Sequence, residues 1–224
     1  MDELSLSQIA ANRAALYHWF AMAFFAPPTL DEVIDMRQGK TQRLLQSLAA
    51  TPGAGPGVDA MSEVLDAAAP ATVVSALGVA HARLFFGIGV HEATPPYRSV
   101  YSSEQGLMCQ HATAEMERVL RQHRLRLQDA VNEPSDHVSI QLEVMAQLAL
   151  RYAEAAAENS DALAHLQAEQ AAFLDEQLLS WLPAFARRVT EADELGFHAG
   201  LANVLVPVLA QDLAFLRETL DAPA

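Results

Sequence analysis

Apolar residues recur at spacings of three and four along this chain of 224 residues, and no convincing stretch alternates with a period of two. The first spacing places apolar side chains on one face of an α-helix, whereas a half-buried strand requires alternation. Prolines and glycines cluster between the periodic stretches, where they end one helix before the next begins. The sequence therefore predicts an all-α fold, a single globular helical bundle of about ten helices.

Residues with defined positions at helix ends divide the chain into segments. Thr29 and Glu32 form the pattern of a capping box, while Gly39 and Gly87 suit the ends of helices. The predicted helices cover residues 7–25, 30–39, 42–49, 58–68, 71–86, 103–123, 136–158, 161–181 and 191–220, with a further short helix starting near Pro183. Residues 51–57 and 87–102 are predicted to be irregular.

Length and cysteine content limit the class of protein. A chain of this size can bury a substantial core, and we expect one domain over residues 1–224 with two halves meeting near residues 125–136. The single Cys109 excludes an internal disulfide framework, which favours a cytoplasmic location. The start of the chain lacks a basic region, and the apolar run over residues 14–26 is shorter than the roughly 20 residues that span a bilayer. We therefore expect neither classical export nor a membrane anchor.

The chain is strongly acidic, and its charge is unevenly distributed. The net charge is −14, with −3 in residues 1–131 and −11 in residues 132–224. An acidic surface repels nucleic-acid phosphates, so no nucleic-acid partner is expected. Such a surface attracts cationic partners, for example a basic peptide, but solubility alone also explains it.

Motifs of several enzyme classes are absent from the sequence. Gly39, Lys40 and Thr41 resemble the end of a P-loop, but Ile34 stands where the first glycine should be. The chain contains no Glu-x-x-His pair of di-iron proteins, no His-Glu-x-x-His zinc motif and no Gly-x-Ser-x-Gly nucleophile elbow. We therefore expect a protein that is not an enzyme, with no cofactor and no metal.

The pentapeptide Glu133-Pro134-Ser135-Asp136-His137 lies between two long helical patterns. Pro134 disfavours helical geometry at the residue before it, and Ser135 and Asp136 are natural capping residues for the helix that follows. Capping alone does not require His137. A carboxylate next to an imidazole at a helix start indicates recognition or chemistry, whereas a histidine at the border of an apolar stripe is more often structural.

Two other segments depart from what a plain helical bundle needs. Leu84-Phe85-Phe86-Gly87 ends a helix with consecutive aromatic residues, which by themselves favour a core-facing helix end capped by Gly87. Pro95-Pro96-Tyr97 lies in a loop that prolines make rigid. Aromatic rings on a rigid loop suit a docking surface, but a loop packed down by tyrosines explains the sequence equally well.

Together and in this order, these segments resemble the TorD/DmsD family, the dedicated cytoplasmic chaperones of exported molybdoenzymes. The similar segments are Leu84–Gly87, Pro95–Tyr101, Glu133–Met145 and the run from Phe173 to Phe185, and the likeness covers most of residues 80–215. The chain departs from the family at His81, where relatives often have an aromatic residue. Four motifs in the same order are more specific than any one of them.

The resemblance implies an all-helical fold that binds the twin-arginine signal peptide of a molybdopterin oxidoreductase and holds that enzyme for cofactor insertion before export. Its partners would be that peptide and the catalytic subunit, with no stable membrane insertion. Some relatives form domain-swapped dimers that exchange near the loop before the pentapeptide, which leaves a homodimer open. The peptide-binding residues carried over from the family are Leu84, Phe85, Pro96, Tyr97, Asp136 and His137.

The chemistry of such a peptide agrees with these residues. Two guanidinium groups require carboxylates, which Asp136 and Glu133 could supply, and an apolar helical segment requires a groove. We predict that His137 orients Asp136 or donates to a peptide carbonyl. The alternatives are a small helical hydrolase that uses Asp136 and His137 with a metal, and an assembly factor that recognises a folded subunit, as NarJ-type chaperones do in part.

Overall fold

The computed structural model describes residues 4–89, 93–103, 106–128, 131–158 and 160–221. Within these ranges the chain forms helices and no strand, which confirms the all-α class. The helices are α1 (Leu6–Phe25), α2 (Leu30–Gln38), α3 (Lys40–Leu48), α4 (Gly55–Asp66), α5 (Pro70–Phe86), α6 (Arg98–Ser102), α7 (His111–Gln122), α8 (Val138–Ala157), α9 (Leu163–Phe173), α10 (Leu182–Ala192) and α11 (Phe197–Asp221). α9 continues into a π-helical segment over Leu174–Leu179.

Two predicted helix ends have the expected geometry. The Thr29 hydroxyl accepts from the Glu32 N–H at 3.3 Å, and the Glu32 carboxylate accepts from the Thr29 N–H at 2.7 Å, which completes the capping box of α2. Gly87 ends α5 with a φ of 69°, in the left-handed region that glycine adopts without steric cost. Both predictions are confirmed.

Several predicted boundaries are wrong, because the apolar pattern did not mark where helical geometry begins or ends. Residues 51–57, predicted to be irregular, contain the start of α4 at Gly55, and residues 87–102, also predicted to be irregular, contain α6. The helix predicted over residues 103–123 begins at His111, since Gly106 and Cys109 have φ angles of 62° and 57°; residues 104 and 105 lie outside the described residues. The last helix, predicted over residues 191–220, begins at Phe197 instead. Gly196, with a φ of 94°, lies in the break between α10 and α11.

The described chain divides into two compact units that do not follow chain order. Unit 1 contains the described parts of Met1–Phe25, Tyr97–Trp181 and Asp212–Ala224. Unit 2 contains those of Ala26–Pro96 and Leu182–Gln211. The predicted exchange between copies near residues 125–136 stays a prediction.

The core of unit 1 is built on α1, which packs along α8. Phe20 and Phe24 from α1 and Leu142 and Met145 from α8 are almost completely buried. Trp181 is buried as well, and its indole N–H donates to the Gln141 side-chain oxygen at 3.0 Å. This bond satisfies the polar group of a large ring that otherwise contributes apolar area.

Unit 2 packs α2, α3, α4 and α5 together, with Met61, Leu65 and Leu77 fully buried. α4 approaches α11 closely at two glycines. A Cβ on Gly57 would lie 2.7 Å from the Gly200 carbonyl oxygen, and a Cβ on Gly200 would lie 2.5 Å from that of Gly57. Glycine is therefore required at this contact, because any side chain would force the backbones apart.

α11 contains the stretch Phe197–Glu218, which is long and apolar enough to cross a membrane by length and composition. More than half of its most apolar window is buried within the protein, as in a core helix. Asp212, near its end, accepts from Arg13 Nε at 2.6 Å and from the Tyr17 hydroxyl at 2.5 Å. These polar contacts and the burial assign the stretch to the protein core.

Candidate functional site

In unit 1 the pentapeptide lies against the segment that begins at Tyr97. Tyr97 and His137 form an isolated antiparallel β-bridge. The Arg98 N–H donates to the Asp136 carbonyl oxygen at 3.1 Å. The Tyr97 ring stands edge-on to the His137 imidazole, with ring centroids 5.1 Å apart. Two motifs that lie far apart in sequence therefore meet in space.

The Asp136 carboxylate is fully buried and binds two donors of the same unit. One oxygen accepts from the Ser99 N–H at 2.8 Å, in the first turn of α6, and the other accepts from the Thr113 hydroxyl at 2.7 Å. Tyr97 precedes α6 and makes no side-chain cap, so Asp136 supplies the acceptor from a distant part of the chain. The prediction that Asp136 caps the helix after the pentapeptide is wrong.

His137 is the residue that caps α8. Its Nδ1 accepts from the Ser139 N–H at 3.1 Å, which satisfies a donor that the helix leaves without an intrahelical acceptor. This bond selects the neutral tautomer with the proton on Nε2. The interpretation that capping does not require His137 is wrong. Its imidazole Nδ1 is the acceptor that a serine or aspartate oxygen was expected to provide.

Glu133 holds Tyr97 in place from the other end of the pentapeptide. The Tyr97 hydroxyl donates to the Glu133 carboxylate. Burial of the phenol, together with this neighbouring negative charge, raises the pKa of Tyr97 well above its ordinary value. Tyr97 therefore remains a neutral donor, and its ring is packed down, as one of the two interpretations of the loop expected.

Arg98 links α6 to two further elements of unit 1. One guanidinium nitrogen donates to Glu115 at 2.7 Å on α7 and to the Gln177 side-chain oxygen at 2.6 Å in the π-helical segment. The Gln177 carbonyl in turn accepts from the Trp181 indole N–H at 2.9 Å. Three of the four family-like segments are thus joined by hydrogen bonds through Arg98, Asp136 and Gln177.

The remaining segment lies in unit 2, at the end of α5. Leu84 and Phe85 are each only 4% exposed. The Leu84 carbonyl accepts from the Thr94 N–H at 2.6 Å and from its hydroxyl at 3.1 Å. Phe85 stacks on Phe185 with ring centroids 6.2 Å apart. Both residues are core residues of their unit.

His81 lies next to Phe85 and faces a second buried histidine. The His81 and His198 ring centroids are 5.7 Å apart, and Phe85 stands edge-on to both rings. Neither nitrogen of His198 has a hydrogen-bond partner among the residues that the structure describes. Burial, reinforced by His81 and opposed by Asp193, lowers the pKa of His198 to about 4.

The buried His198 makes the stability of the protein dependent on pH. A histidine in the unfolded chain has a pKa of about 6.5, so the unfolded chain takes up a proton at this position before the folded chain does. We expect the contribution of neutral His198 to the free energy of unfolding to be fully retained above about pH 7. This contribution should be lost as the pH drops from about 6.5 to about 4. The share of His198 should be on the order of 1–3 kcal/mol.

Urea unfolding between about pH 7.5 and about pH 4.5 measures this effect as a difference between variants. In His198→Leu, the free energy of unfolding should fall less steeply as the pH decreases, because the contribution of His198 is removed. His165→Leu, at an exposed histidine of α9, should keep the slope of the natural protein. Equal slopes for His198→Leu and the natural protein would contradict the pKa assignment.

The structure buries nearly all of the predicted peptide-binding residues. Glu133 is half-buried, whereas the side chains of the others are buried: Leu84, Phe85 and Pro96 in unit 2, and Tyr97, Asp136 and His137 in unit 1. The apolar residues that are exposed beside them were not predicted. They are Phe86, 59% exposed, next to Phe85, and Phe25, 38% exposed, whose ring stands edge-on to His137 at 6.4 Å.

Helical spacing could have identified Phe86. The buried residues Val73, Leu77, His81 and Phe85 follow one another at intervals of four on α5, and Phe86 lies outside that stripe. Phe25 had no comparable signal, because it ends α1 and its exposure depends on how α1 and the pentapeptide pack.

Among the described residues, each unit has a groove that is bordered by exposed apolar side chains. The groove of unit 1 encloses about 460 Å3, is lined by α1, α8 and the segment after α7, and includes Met22, Phe25 and Leu127. His18 and Glu143 pair across it at 2.8 Å. The groove of unit 2 encloses about 620 Å3 and lies between α5 and the turn from α10 to α11. Either groove is large enough for part of a peptide.

The site residues do not form a hydrolase centre. Among the described residues, no three His, Cys, Asp or Glu side chains are arranged to hold a metal ion. Both oxygens of Asp136 accept hydrogen bonds from other residues, and His137 Nδ1 caps a helix. The alternative of a metal-dependent hydrolase that uses Asp136 and His137 has no support in this geometry.

Comparison with known proteins gives the family directly. The family model described as nitrate reductase delta subunit matches residues 51–187. The chain is 30% identical to the chaperone protein TorD of Vibrio vulnificus over 206 residues, which cover 92% of this chain and 94% of that protein. It is 28% identical to the chaperone protein TorD of Vibrio cholerae over 221 residues, 99% of this chain and 98% of that protein.

The matched region includes the segments whose geometry is described above. The TorD protein of Aliivibrio fischeri is likewise similar, with 28% identity over 212 residues, 94% of this chain and 97% of that protein. All three relatives are named as chaperones, a class that binds other proteins and performs no chemistry on them. The chain therefore belongs to the TorD family of chaperones and is a chaperone rather than an enzyme.

Proposed function

We propose that this protein is a cytoplasmic chaperone that binds the twin-arginine signal peptide of a molybdopterin oxidoreductase and holds that enzyme for cofactor insertion before export. The observation that carries the proposal is membership in the TorD family. The similarity to one TorD protein covers 92% of the chain. The catalytic subunit of the same oxidoreductase is the proposed client.

The charge and the exposed residues of the chain support a peptide of this kind. A twin-arginine peptide combines two guanidinium groups with an apolar segment that forms a helix. The net charge of −14 would attract the guanidinium groups. Exposed apolar side chains border a groove in each unit and offer contact area for the apolar segment.

In unit 1 we propose that Glu133 and the His137 Nε2–H contact the peptide beside the exposed ring of Phe25. Glu133 is half-buried and can accept from a guanidinium while it holds Tyr97. Because His137 Nδ1 accepts from the Ser139 N–H, Nε2 is the nitrogen of this ring that would carry the proton in a bond to a peptide carbonyl. Tyr97 and Asp136 would act by positioning, as would Leu84, Phe85 and Pro96 in unit 2.

Calorimetric titration with synthetic twin-arginine signal peptides from molybdopterin oxidoreductases of the same genome tests the proposal. We expect binding that weakens in higher salt and when lysines replace both arginines, because lysine cannot form bidentate bonds. Glu133→Gln and His137→Gln should each weaken binding about threefold to tenfold, the loss of one charge-assisted or neutral hydrogen bond.

Exposed residues elsewhere in unit 1 provide the matched controls. Glu154→Gln and His165→Gln should leave the affinity unchanged. If no signal peptide binds, whereas the client without its signal peptide does, the protein is an assembly factor for a folded subunit and the proposal fails. If the peptide binds equally to all four variants, Glu133 and His137 are not contacts.

A further inference from the structure

Four exposed arginines lie close together at the end of α7 in unit 1. They are Arg118, Arg121, Arg124 and Arg126, so nine positions hold four of the 14 Lys and Arg residues of the chain. No Asp or Glu occurs over residues 118–128. In a protein with a net charge of −14, this segment reverses the sign of the charge locally. We call residues 118–126 the arginine turn.

The backbone of the arginine turn ends α7 in a Schellman motif. The Leu125 N–H donates to the Leu120 carbonyl oxygen at 2.8 Å, and the Arg124 N–H donates to that of Arg121 at 3.1 Å. Arg124 has a φ of 55°, in the left-handed region that glycine adopts without steric cost and that other residues adopt at a cost. The helix end favours glycine at this position, so it does not account for an arginine there.

A fifth arginine, Arg151, anchors the turn to α8. Its guanidinium, which is half-buried, donates to the His123 carbonyl oxygen at 2.5 Å. This oxygen is one of those that α7 leaves without an intrahelical donor. Arg151 therefore supplies the structural cation at this helix end, and the turn that carries the exposed arginines is held in place.

The first two exposed arginines have only weak partners. Arg118 lies 3.9 Å from Glu115, and Arg121 lies 3.7 Å from Glu117. The side chains of these arginines are 63% and 67% exposed. Ion pairs this long and this exposed contribute little, so a carboxylate of a partner can replace them.

Arg124 and Arg126 lie beyond the end of α7. Their guanidinium groups have no ion pair or hydrogen bond within the part of the chain that the structure describes. The helix dipole favours cations in the last turn and falls off beyond it, so it does not account for these two residues. A guanidinium binds a carboxylate through two parallel bonds. The arginine turn thus presents two arginines that are available to bind carboxylates.

We infer that the arginine turn is a docking surface for an acidic segment of the client's catalytic subunit, outside the signal peptide. This inference rests on the proposed function and gives the same client a second contact. The argument for this occupant is charge complementarity. A twin-arginine signal peptide is cationic and would be repelled at the turn, whereas Glu133 is the carboxylate proposed for it. Two client segments of opposite charge would therefore bind different surfaces of unit 1.

The small size of the arginine turn favours a protein segment over a membrane or a nucleic acid. Both of these present extended negative charge, which would also face the rest of a chain with a net charge of −14. Charges separated by more than about 8 Å are largely screened at physiological ionic strength. A short acidic segment would therefore interact mainly with the arginines.

Calorimetric titration of the full chain tests the inference, with the catalytic subunit of the client expressed without its signal peptide. Replacing Arg124 and Arg126 together by glutamate should weaken binding at least tenfold, because repulsion replaces attraction. Replacing both by lysine should weaken it about threefold, because lysine keeps the charge but cannot form the two parallel bonds. Arg187→Glu, at an exposed arginine of α10 in unit 2, is the matched control and should have no effect.

Arg124→Gly separates docking from folding. Glycine suits the left-handed conformation, so the midpoint of thermal unfolding should be no lower than that of the natural protein. The affinity for the catalytic subunit should nevertheless fall about threefold, through the loss of one guanidinium. If this variant and the double glutamate variant both bind as tightly as the natural protein, the arginine turn is not the docking surface and the inference is overturned.

The outcomes separate this inference from the function on which it depends. If the signal peptide binds, but the catalytic subunit without it does not, the inference fails and the proposed function stands. If neither binds, both fail. The double glutamate variant should bind the signal peptide at least as tightly as the natural protein does, because it lacks two cations that repel guanidinium groups. Weaker binding would assign the turn to the signal-peptide site and overturn the inference.

Two further measurements test other occupants of the arginine turn. Sedimentation with vesicles of phosphatidylcholine and phosphatidylglycerol tests a membrane surface. Sedimentation equilibrium of the protein alone tests a second copy of the chain, whose acidic residues offer carboxylates. Vesicle binding or self-association that the double glutamate variant abolishes would overturn the inference, and the absence of both would support it.

Discussion

Replacing Asp136 by alanine is expected to lower the free energy of unfolding by about 3 kcal/mol or more. The substitution removes the acceptor of the buried Ser99 N–H and of the half-buried Thr113 hydroxyl. Each donor left without a partner costs roughly 1–3 kcal/mol, and α6 loses its only side-chain cap among the described residues. Chemical unfolding, followed by circular dichroism of the helices, measures the loss.

Two variants control for the removal of a carboxylate as such. Asp136→Asn keeps one oxygen acceptor but turns an amide group towards a donor, so we expect a loss of about half that size. Asp161→Ala, at an exposed position, should change the free energy of unfolding by less than about 0.5 kcal/mol. An Asp136→Ala variant as stable as Asp161→Ala would show that the carboxylate does not hold α6.

Peptide binding by the same variant separates two roles of Asp136. If Asp136 acts by positioning, Asp136→Ala loses stability, and its affinity for the signal peptide recovers under stabilising conditions such as low temperature or added osmolyte. If Asp136 contacts a guanidinium directly, the affinity stays low even when the variant is fully folded. Its complete burial in the free protein favours the first outcome.

Replacing Phe85 by alanine should lower the free energy of unfolding by about 3–4 kcal/mol, because it removes a buried ring and leaves a cavity among Phe185, His81 and His198. For a chain of this length, such a loss corresponds to a fall of about 10 °C in the midpoint of thermal unfolding. Differential scanning calorimetry of the full chain measures this shift.

The adjacent residue provides the control. Phe86 is 59% exposed, so Phe86→Ala should change the midpoint by no more than about 2 °C. The two neighbouring substitutions should therefore differ in their effect on stability: Phe85→Ala lowers the midpoint of thermal unfolding, whereas Phe86→Ala leaves it nearly unchanged. Similar thermal shifts for both variants would mean that the assignment of Phe85 to the core is wrong.

Local chemistry predicted those features that depend on a few consecutive residues. The capping box of Thr29 and Glu32 and the left-handed Gly87 form within single turns, so the residues that define them are neighbours in sequence. The helical period likewise depends only on spacing, which is why the all-α class was predictable. The wrong boundary of α7 follows the same logic, since the left-handed conformation of Cys109 is not a property of cysteine.

Local sequence patterns did not predict the contacts of the pentapeptide. Its sequence indicated a helix start and gave Asp136 the capping role, but the acceptor of α8 is His137. Asp136 caps a helix that starts 38 residues earlier, at Arg98. Contacts between distant segments leave no local pattern in one sequence, so a buried structural carboxylate and an exposed binding carboxylate have the same appearance there.

The sequence by itself determined the helical class, the family and the acidic character of this protein, because period, motif order and charge are properties of the chain alone. The tertiary structure decided which motif residues are accessible. It buried Leu84, Phe85 and Asp136, left Phe86 exposed and left Glu133 half-buried. The physical reason is that accessibility depends on which elements pack over a side chain, and that packing is a property of the whole fold.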